Sequence, residues 1–314
     1  MSLTVIIATI LMGLAIGWSI GACDAGNSLG PAVGARVLSL RQAIVLIAVM
    51  GFLGAYLQGS HVIRTIGRGF LDISVLDQHK ATYTALVSAF AGCAWILLAI
   101  TWRIPISSSH SIVGAVAGAG LAIRAPLHWA VMRKIFICWI TTPIGAAVLG
   151  FVLYIVLKAV LYRLIPRRLM TTLLSPLIVV SGCYVAYSWG ANDVANAVGV
   201  IAGARILSVN ASIALGGLAI VLGIMTRGYR MIVTIGSGLV YLAPLMALSA
   251  QLASAINVHV YTLMGIPVST SHSIVGAVVG VGLVRGIRVL NINLVREIVT
   301  CWVLTPFVSG AISF

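Results

Sequence analysis

A ten-residue stretch carrying one aspartate and two asparagines, GANDVANAVG at 190–199, has a twin in GACDAGNSLG at 21–30, and both lie inside long apolar runs. The pairing matches Asp24 with Asp193, Asn27 with Asn196 and Gly30 with Gly199, each pair 169 residues apart. GARVLSL at 34–40 and GARILSV at 203–209 repeat at the same spacing, as does TIG at 65–67 with 234–236. PISSSHSIVGAV at 105–116 then returns as PVSTSHSIVGAV at 267–278, and CWITTP at 138–143 as CWVLTP at 301–306. The second spacing is shorter because the second half trims the polar stretch 68–80. A chain repeated this completely is expected to fold as two halves of like structure. Residues 1–164 form the first membrane repeat and 173–314 the second, joined by a basic linker at 165–172 with Pro166, Arg167 and Arg168. Basic loops favour the cytoplasmic side.

The medium is set by composition. Of 314 residues 61% are hydrophobic and 8% charged, with a mean hydropathy of +1.15. Apolar runs near the ~20 residues that cross a bilayer recur, interrupted by Gly or Pro, and predict an all-α integral membrane protein with about 10–12 membrane segments. The first run, 3–20, lacks a basic flank and a cleavage site, so it reads as a mature helix in an inner or plasma membrane. The net charge of +14 is spread over segment ends, which fits headgroup anchoring and not nucleic-acid binding. The five cysteines show no metal-ligand or CxxC spacing and read as packing residues.

Each half is expected to begin with a helix (3–20 or 173–189), break at Gly21 or Gly190, and continue as a short helix (24–35 or 193–204). Full spans follow at 43–57 and 213–225, then at 82–102 and 239–264. A proline next opens a short glycine-rich helix, 111–122 or 273–284, too brief to cross and so broken or re-entrant. The halves end in segments 131–162 and 295–314, bent at Pro143 and Pro306. Interrupted segments at matching places in two halves point to a transport site near the midplane.

Two groups of residues carry the chemistry. Ser107, Ser108 and Ser109 in the first half, and Ser269, Thr270 and Ser271 in the second, gather hydroxyls and unpaired N–H groups at a helix start. Such a start favours anions, and hydroxyls hydrogen-bond an oxyanion without burying an arginine. Simple capping needs one hydroxyl, not three. His110 and His272 stand just behind, able to bond the anion, orient a serine or merely pack; neither has a second histidine at metal-ligand spacing.

Asp24 and Asp193 must face protein or water, because an ionisable group in lipid is costly. Asn27 and Asn196 lie one helical turn on and can share an oxygen-rich site with them. Such oxygens suit Na⁺, with Asp24, Asp193, Asn192 and Asn196 as the candidate ligands, while the aspartate alone could take H⁺. Asn192 has no first-half twin, since Cys23 stands there, so the two cation sites need not be equivalent. Glu297 aligns with Lys134, as a possible ion pair or a solvated helix end. Arg36 and Arg205 could steer anions or anchor headgroups, and Trp139 and Trp302 read as packing or interfacial residues.

These motifs resemble the inorganic phosphate transporter (PiT) family, whose mark is a duplicated G-A-N-D-x-A-N with a P-x-S-[ST]-[ST]-H-S motif in each half. GANDVANA at 190–197, PVSTSHS at 267–273 and PISSSHS at 105–111 carry the likeness, which spans almost the whole chain. The resemblance implies inverted repeats, a homodimer, and symport of phosphate with Na⁺ or H⁺, without a further cofactor. It implies phosphate contacts from 107–109, 269–271 and the motif asparagines, with Asp24 and Asp193 serving the cation. GACDAGNS departs from the pattern at Cys23 and Gly26, and a thiol is a poor Na⁺ ligand. The family also contains sulfate carriers.

The leading expectation is therefore a cation-coupled symporter of phosphate or a similar tetrahedral oxyanion such as sulfate. A passive anion channel would leave the paired aspartates unexplained. An intramembrane Ser/His/Asp hydrolase is disfavoured because a serine adjacent in sequence to its histidine is badly placed for activation.

Overall fold

The computed structural model describes residues 2–34, 36–102, 106–229, 232, 243–284, 286 and 292–314. Pro105, the second TIG and the start of the expected span from Leu239 lie outside the described residues, as does Ala35. The regular secondary structure described is helical apart from one isolated bridge, Leu71 to Leu127.

The first half runs α1 (Leu3–Asp24), α2 (Gly26–Gly34), α3 (Leu40–Gln58), α4 (Ser60–Arg64), α5 (Gln78–Trp102), α6 (Ser108–Ala122) and α7 (Trp129–Leu164). The second contains α8 (Arg167–Gly203), α9 (Val209–Gly223), α10 (Pro244–Leu263), α11 (Thr270–Leu283) and α12 (Ile292–Ser313). Matched serines start matched helices: Ser39 caps α3 and Ser208 caps α9, each accepting a backbone N–H three residues on. Among the described residues seven helices are long and apolar enough to cross a membrane, and α11 is a shorter apolar helix. This is a multi-pass membrane protein.

Packing repeats and crosses between the halves. The helix α1 lies on α9, and its counterpart α8 lies on α3; α6 lies on α12, and its counterpart α11 lies on α7. Small residues make these contacts possible, because two helices in lipid approach closely only where no side chain intervenes. A Cβ added at Gly114 would run into the carbonyl oxygen of Pro306, and one at Gly276 into that of Pro143. The outer faces remain apolar, as at Ile140 (65% exposed) and Phe307 (72%), which suits contact with lipid.

Two expectations are corrected. Gly190 does not break its helix: α8 runs unbroken through the whole acidic motif. Gly21 does not break either; the first-half interruption is Ala25, which keeps helical dihedrals (φ −53, ψ −35), so α1 and α2 form nearly one rod. Both glycines serve close approach, Gly190 against the Gly51 carbonyl and Gly21 against that of Ile220. Ile165 and Pro166 separate α7 from α8, which begins at Arg167. Proline is well suited to stand just ahead of a helix, where its missing N–H is not needed. The helices α7 and α12 continue through Pro143 and Pro306.

Candidate transport site

Each serine motif starts a helix. Ser107 caps α6 by accepting the N–H of His110 at 3.3 Å, and Ser269 caps α11 by accepting that of His272 at 3.2 Å. One turn later Ser111 donates to the carbonyl of Gly92, and its counterpart Ser273 to that of Ser254, both at 3.2 Å. These bonds pin the two helix starts to α5 and α10. The remaining hydroxyls, those of Ser108, Ser109, Thr270 and Ser271, turn to the acidic motifs.

They join the two halves in a closed ring. Ser108 donates to Asp24 and Thr270 to Asp193, both at 3.1 Å, each within its own half. The asparagines cross over: Asn27 donates to Ser271 Oγ at 3.0 Å, and Asn196 to Ser109 Oγ at 2.9 Å. Each also donates to its own aspartate, Asn27 to Asp24 at 3.3 Å and Asn196 to Asp193 at 3.0 Å. Hydroxyl and carboxylate positions that lie far apart in sequence thus form one site. Asp193 and Asn196 are fully buried, Asp24 and Asn27 nearly so, and Ser271 is the partly exposed member.

Asymmetry arises beside this ring. Asn192 donates to Thr262 Oγ1 at 2.9 Å and to the Ile266 carbonyl at 3.2 Å, and accepts the Val268 N–H at 3.2 Å. It thereby fixes the non-helical stretch 266–269 leading into α11. The Val268 carbonyl, so placed, accepts the hydroxyl of Ser109 at 2.9 Å. The first half has Cys23 in place of Asn192, and the matching hydroxyl of Ser271 donates to Asp24 at 3.1 Å instead. Of the residues singled out in the sequence, Asn192 therefore faces the motif's approach segment, and Ser107 and Ser269 act as caps. His110 and His272 bond elsewhere, to the carbonyls of Trp302 and Trp139.

The electrostatics decide what such a ring can hold. Among the described residues the ion pair formed is Lys80 with Asp77 at 3.8 Å, on the surface, and neither Asp24 nor Asp193 has a basic partner. Glu297 and Lys134 form no pair. The Oδ1 of Asn196 is buried without a hydrogen-bond partner. Two buried carboxylates plus a free amide oxygen make a place for a cation or a proton, since an unpaired buried charge is costly. No cluster of three His, Cys, Asp or Glu suited to a transition metal occurs among the described residues. Hydroxyls and the N-termini of α6 and α11 favour an anion nearby.

Residues 20–313 match the family model described as the phosphate transporter family. The chain belongs to that family. A Pyrococcus abyssi protein named "Putative phosphate permease" is 30% identical, over 98% of this chain and 96% of its own length. The chloroplastic inorganic phosphate transporter 2-1 of Arabidopsis thaliana is 27% identical over 95% of this chain and 69% of its own. A solved structure titled as the sodium-dependent phosphate transporter superposes with a TM-score of 0.91 and 26% identity, covering 99% of this chain and 97% of that one. This phosphate transporter family member is thus a membrane transporter and not an enzyme.

Two polar residues around the site escaped the sequence reading. Asn257 of α10 donates to the Thr142 carbonyl and to Ser273 Oγ, both at 3.0 Å. Gln251 donates to the Ser28 carbonyl at 2.9 Å and accepts from Ser181 at 2.8 Å, tying α10 to α2 and α8. Both amides stand in an apolar span, which was the available signal: a polar side chain in such a span needs a partner.

Proposed function

We propose that this family member is a secondary active symporter that imports inorganic phosphate together with Na⁺. The observation that carries the reading is the pair of buried carboxylates, Asp24 and Asp193, held by hydroxyls and amides of both halves with no basic partner among the described residues. An anion brought to these hydroxyls meets negative charge, so it is stable only if a cation arrives with it. Either ion alone binds weakly, and that mutual dependence is coupling. The free Oδ1 of Asn196 beside Asp193 supplies an oxygen for Na⁺. The relative titled as sodium-dependent supports Na⁺ over H⁺.

In this reading Ser108, Ser109, Thr270 and Ser271 hold phosphate, and Asp24, Asp193, Asn27 and Asn196 serve the cation. Asn192 acts through the 266–269 stretch, and Ser107 and Ser269 keep the helix starts in place. The halves 1–164 and 173–314 form inverted repeats in each protomer of a homodimer, and one bundle rocks against the other about the ring. Phosphate is favoured over sulfate because the family description and the relatives above name phosphate.

The test is uptake of labelled phosphate into proteoliposomes. Accumulation above the outside concentration under an inward Na⁺ gradient, and none under a pH gradient alone, is the expected result. Uptake that only equilibrates would indicate a channel, and uptake driven by pH alone would replace Na⁺ with H⁺.

A further inference from the structure

His110 and His272 follow the serine motifs directly, yet neither takes part in the ring. Both are buried, at 4% and 3% exposure. His110 Nδ1 lies 2.9 Å from the carbonyl oxygen of Trp302, and His272 Nδ1 lies 3.2 Å from that of Trp139. A carbonyl oxygen only accepts, so each Nδ1 carries the proton and donates it.

The two carbonyls are special in their helices. Trp139 and Trp302 each stand four residues before a proline, Pro143 in α7 and Pro306 in α12. Proline has no N–H to give the carbonyl four residues back, and an orphan carbonyl at membrane depth must find another donor. The imidazoles are those donors, and each comes from the opposite half. Each ring also stacks on the tryptophan of its own half: His110 on Trp139 with centroids 3.7 Å apart, and His272 on Trp302 at 3.6 Å. The imidazoles meet each other edge to face at 4.4 Å. On their outer side lies an open groove of about 550 Å³ lined by apolar side chains such as Ile140, Val279, Val303 and Phe307. Such walls offer water no partner, so little competes for the two carbonyls.

We propose that His110 and His272 are positioning residues. With the proline-freed carbonyls of Trp302 and Trp139 they clasp α6 and α11 across the halves, so that the two serine-bearing helix starts stay in register and shift as one unit. The role of this unit in phosphate binding rests on the symport reading above; the clasp itself does not.

The test uses the full chain, wild type and variants, in detergent for hydrogen exchange and in proteoliposomes for uptake. In His272→Leu, faster amide exchange is expected at 107–112 on α6 as well as at 269–274 on α11. Exchange confined to 269–274 would show a local packing role and overturn the clasp. The same variant is expected to raise the phosphate KM about tenfold, the scale of one lost buried hydrogen bond, with a smaller change in maximal rate. His272→Asn, whose amide N–H can reach the Trp139 carbonyl, should recover most of that loss; no recovery overturns the proposal. His110→Leu combined with His272→Leu should cost less than the sum of the two single losses, because both bonds hold one unit, and additive losses would count against it. Pro143→Ala covers the case in which the histidine variants fail to fold. It restores an N–H for the Trp139 carbonyl, keeps both imidazoles, and should reproduce the exchange pattern; unchanged exchange at 107–112 overturns the proposal. If the wild type takes up no phosphate, the symport reading fails, while the exchange data still decide the clasp.

Discussion

Asn192 accepts the backbone N–H of Val268 at 3.2 Å, and Val268 in turn accepts the hydroxyl of Ser109 through its carbonyl at 2.9 Å. That chain of two bonds makes the halves unequal, for it draws Ser109 toward a backbone carbonyl while its twin Ser271 donates to Asp24. Replacing Asn192 by Ala strands the Val268 N–H and the Ile266 carbonyl, at a cost of about 1–3 kcal/mol per buried group. Earlier thermal unfolding in detergent and weaker phosphate uptake are the expected outcomes. Cys23→Asn should act on the other side: by offering the first half a similar clamp, it is expected to take Ser271 from Asp24 and change the Na⁺ concentration for half-maximal uptake. An unchanged Na⁺ dependence would count against this origin of the asymmetry.

The carboxylate of Asp193 accepts from Asn196 and Thr270 and has no basic partner among the described residues. Asp193→Asn keeps the size of the side chain and removes its charge. The variant should fold, and Na⁺-driven accumulation should fall by roughly 10- to 100-fold, the scale of a hydrogen-bonded charge worth about 1.5–3 kcal/mol. Accumulation at wild-type level would remove Asp193 from the coupling step.

Thr270 and Ser108 occupy equivalent places, each donating to its aspartate at 3.1 Å. Thr270→Val preserves shape but deletes the donor, and is expected to raise the phosphate KM by roughly tenfold or more. Thr270→Ser should stay near wild type because the hydroxyl remains. Uptake kinetics across the two variants separate loss of the bond from loss of packing.

Gly190 faces the backbone of Gly51, and Gly280 that of Ala147, so closely that a Cβ at either site would collide with a carbonyl oxygen. Alanine at either position must push two helices apart, at about 1–3 kcal/mol. A lower midpoint of thermal unfolding is expected from each, with Gly190→Ala also weakening uptake because α8 carries Asp193. Wild-type stability would mean the helices have slack at these contacts.

Much of this was legible in the sequence. The spacing between Asp24 and Asp193 exposed the duplication, the apolar runs fixed a helical membrane protein, and the serine triplets announced two helix starts. These are local or periodic properties, and apolar length and capping chemistry set them without reference to distant residues. The glycines misled, because a missing side chain permits either a break or a close approach, and only the neighbour shows which. Gly190 meets Gly51 across a helix contact, which no local pattern encodes.

The sequence by itself thus determined the medium, the two halves and the residue types of the site, since burial in lipid dictates helices and restricts where an aspartate can stand. Only the tertiary structure decided that the serine and acidic motifs form one ring, with Asn196 reaching Ser109 and Asn27 reaching Ser271. It also revealed that His110 and His272 answer the carbonyls left by Pro306 and Pro143. The reason is that hydrogen bonds between the halves depend on how the helices cross, and crossing is fixed by packing between residues well over a hundred positions apart.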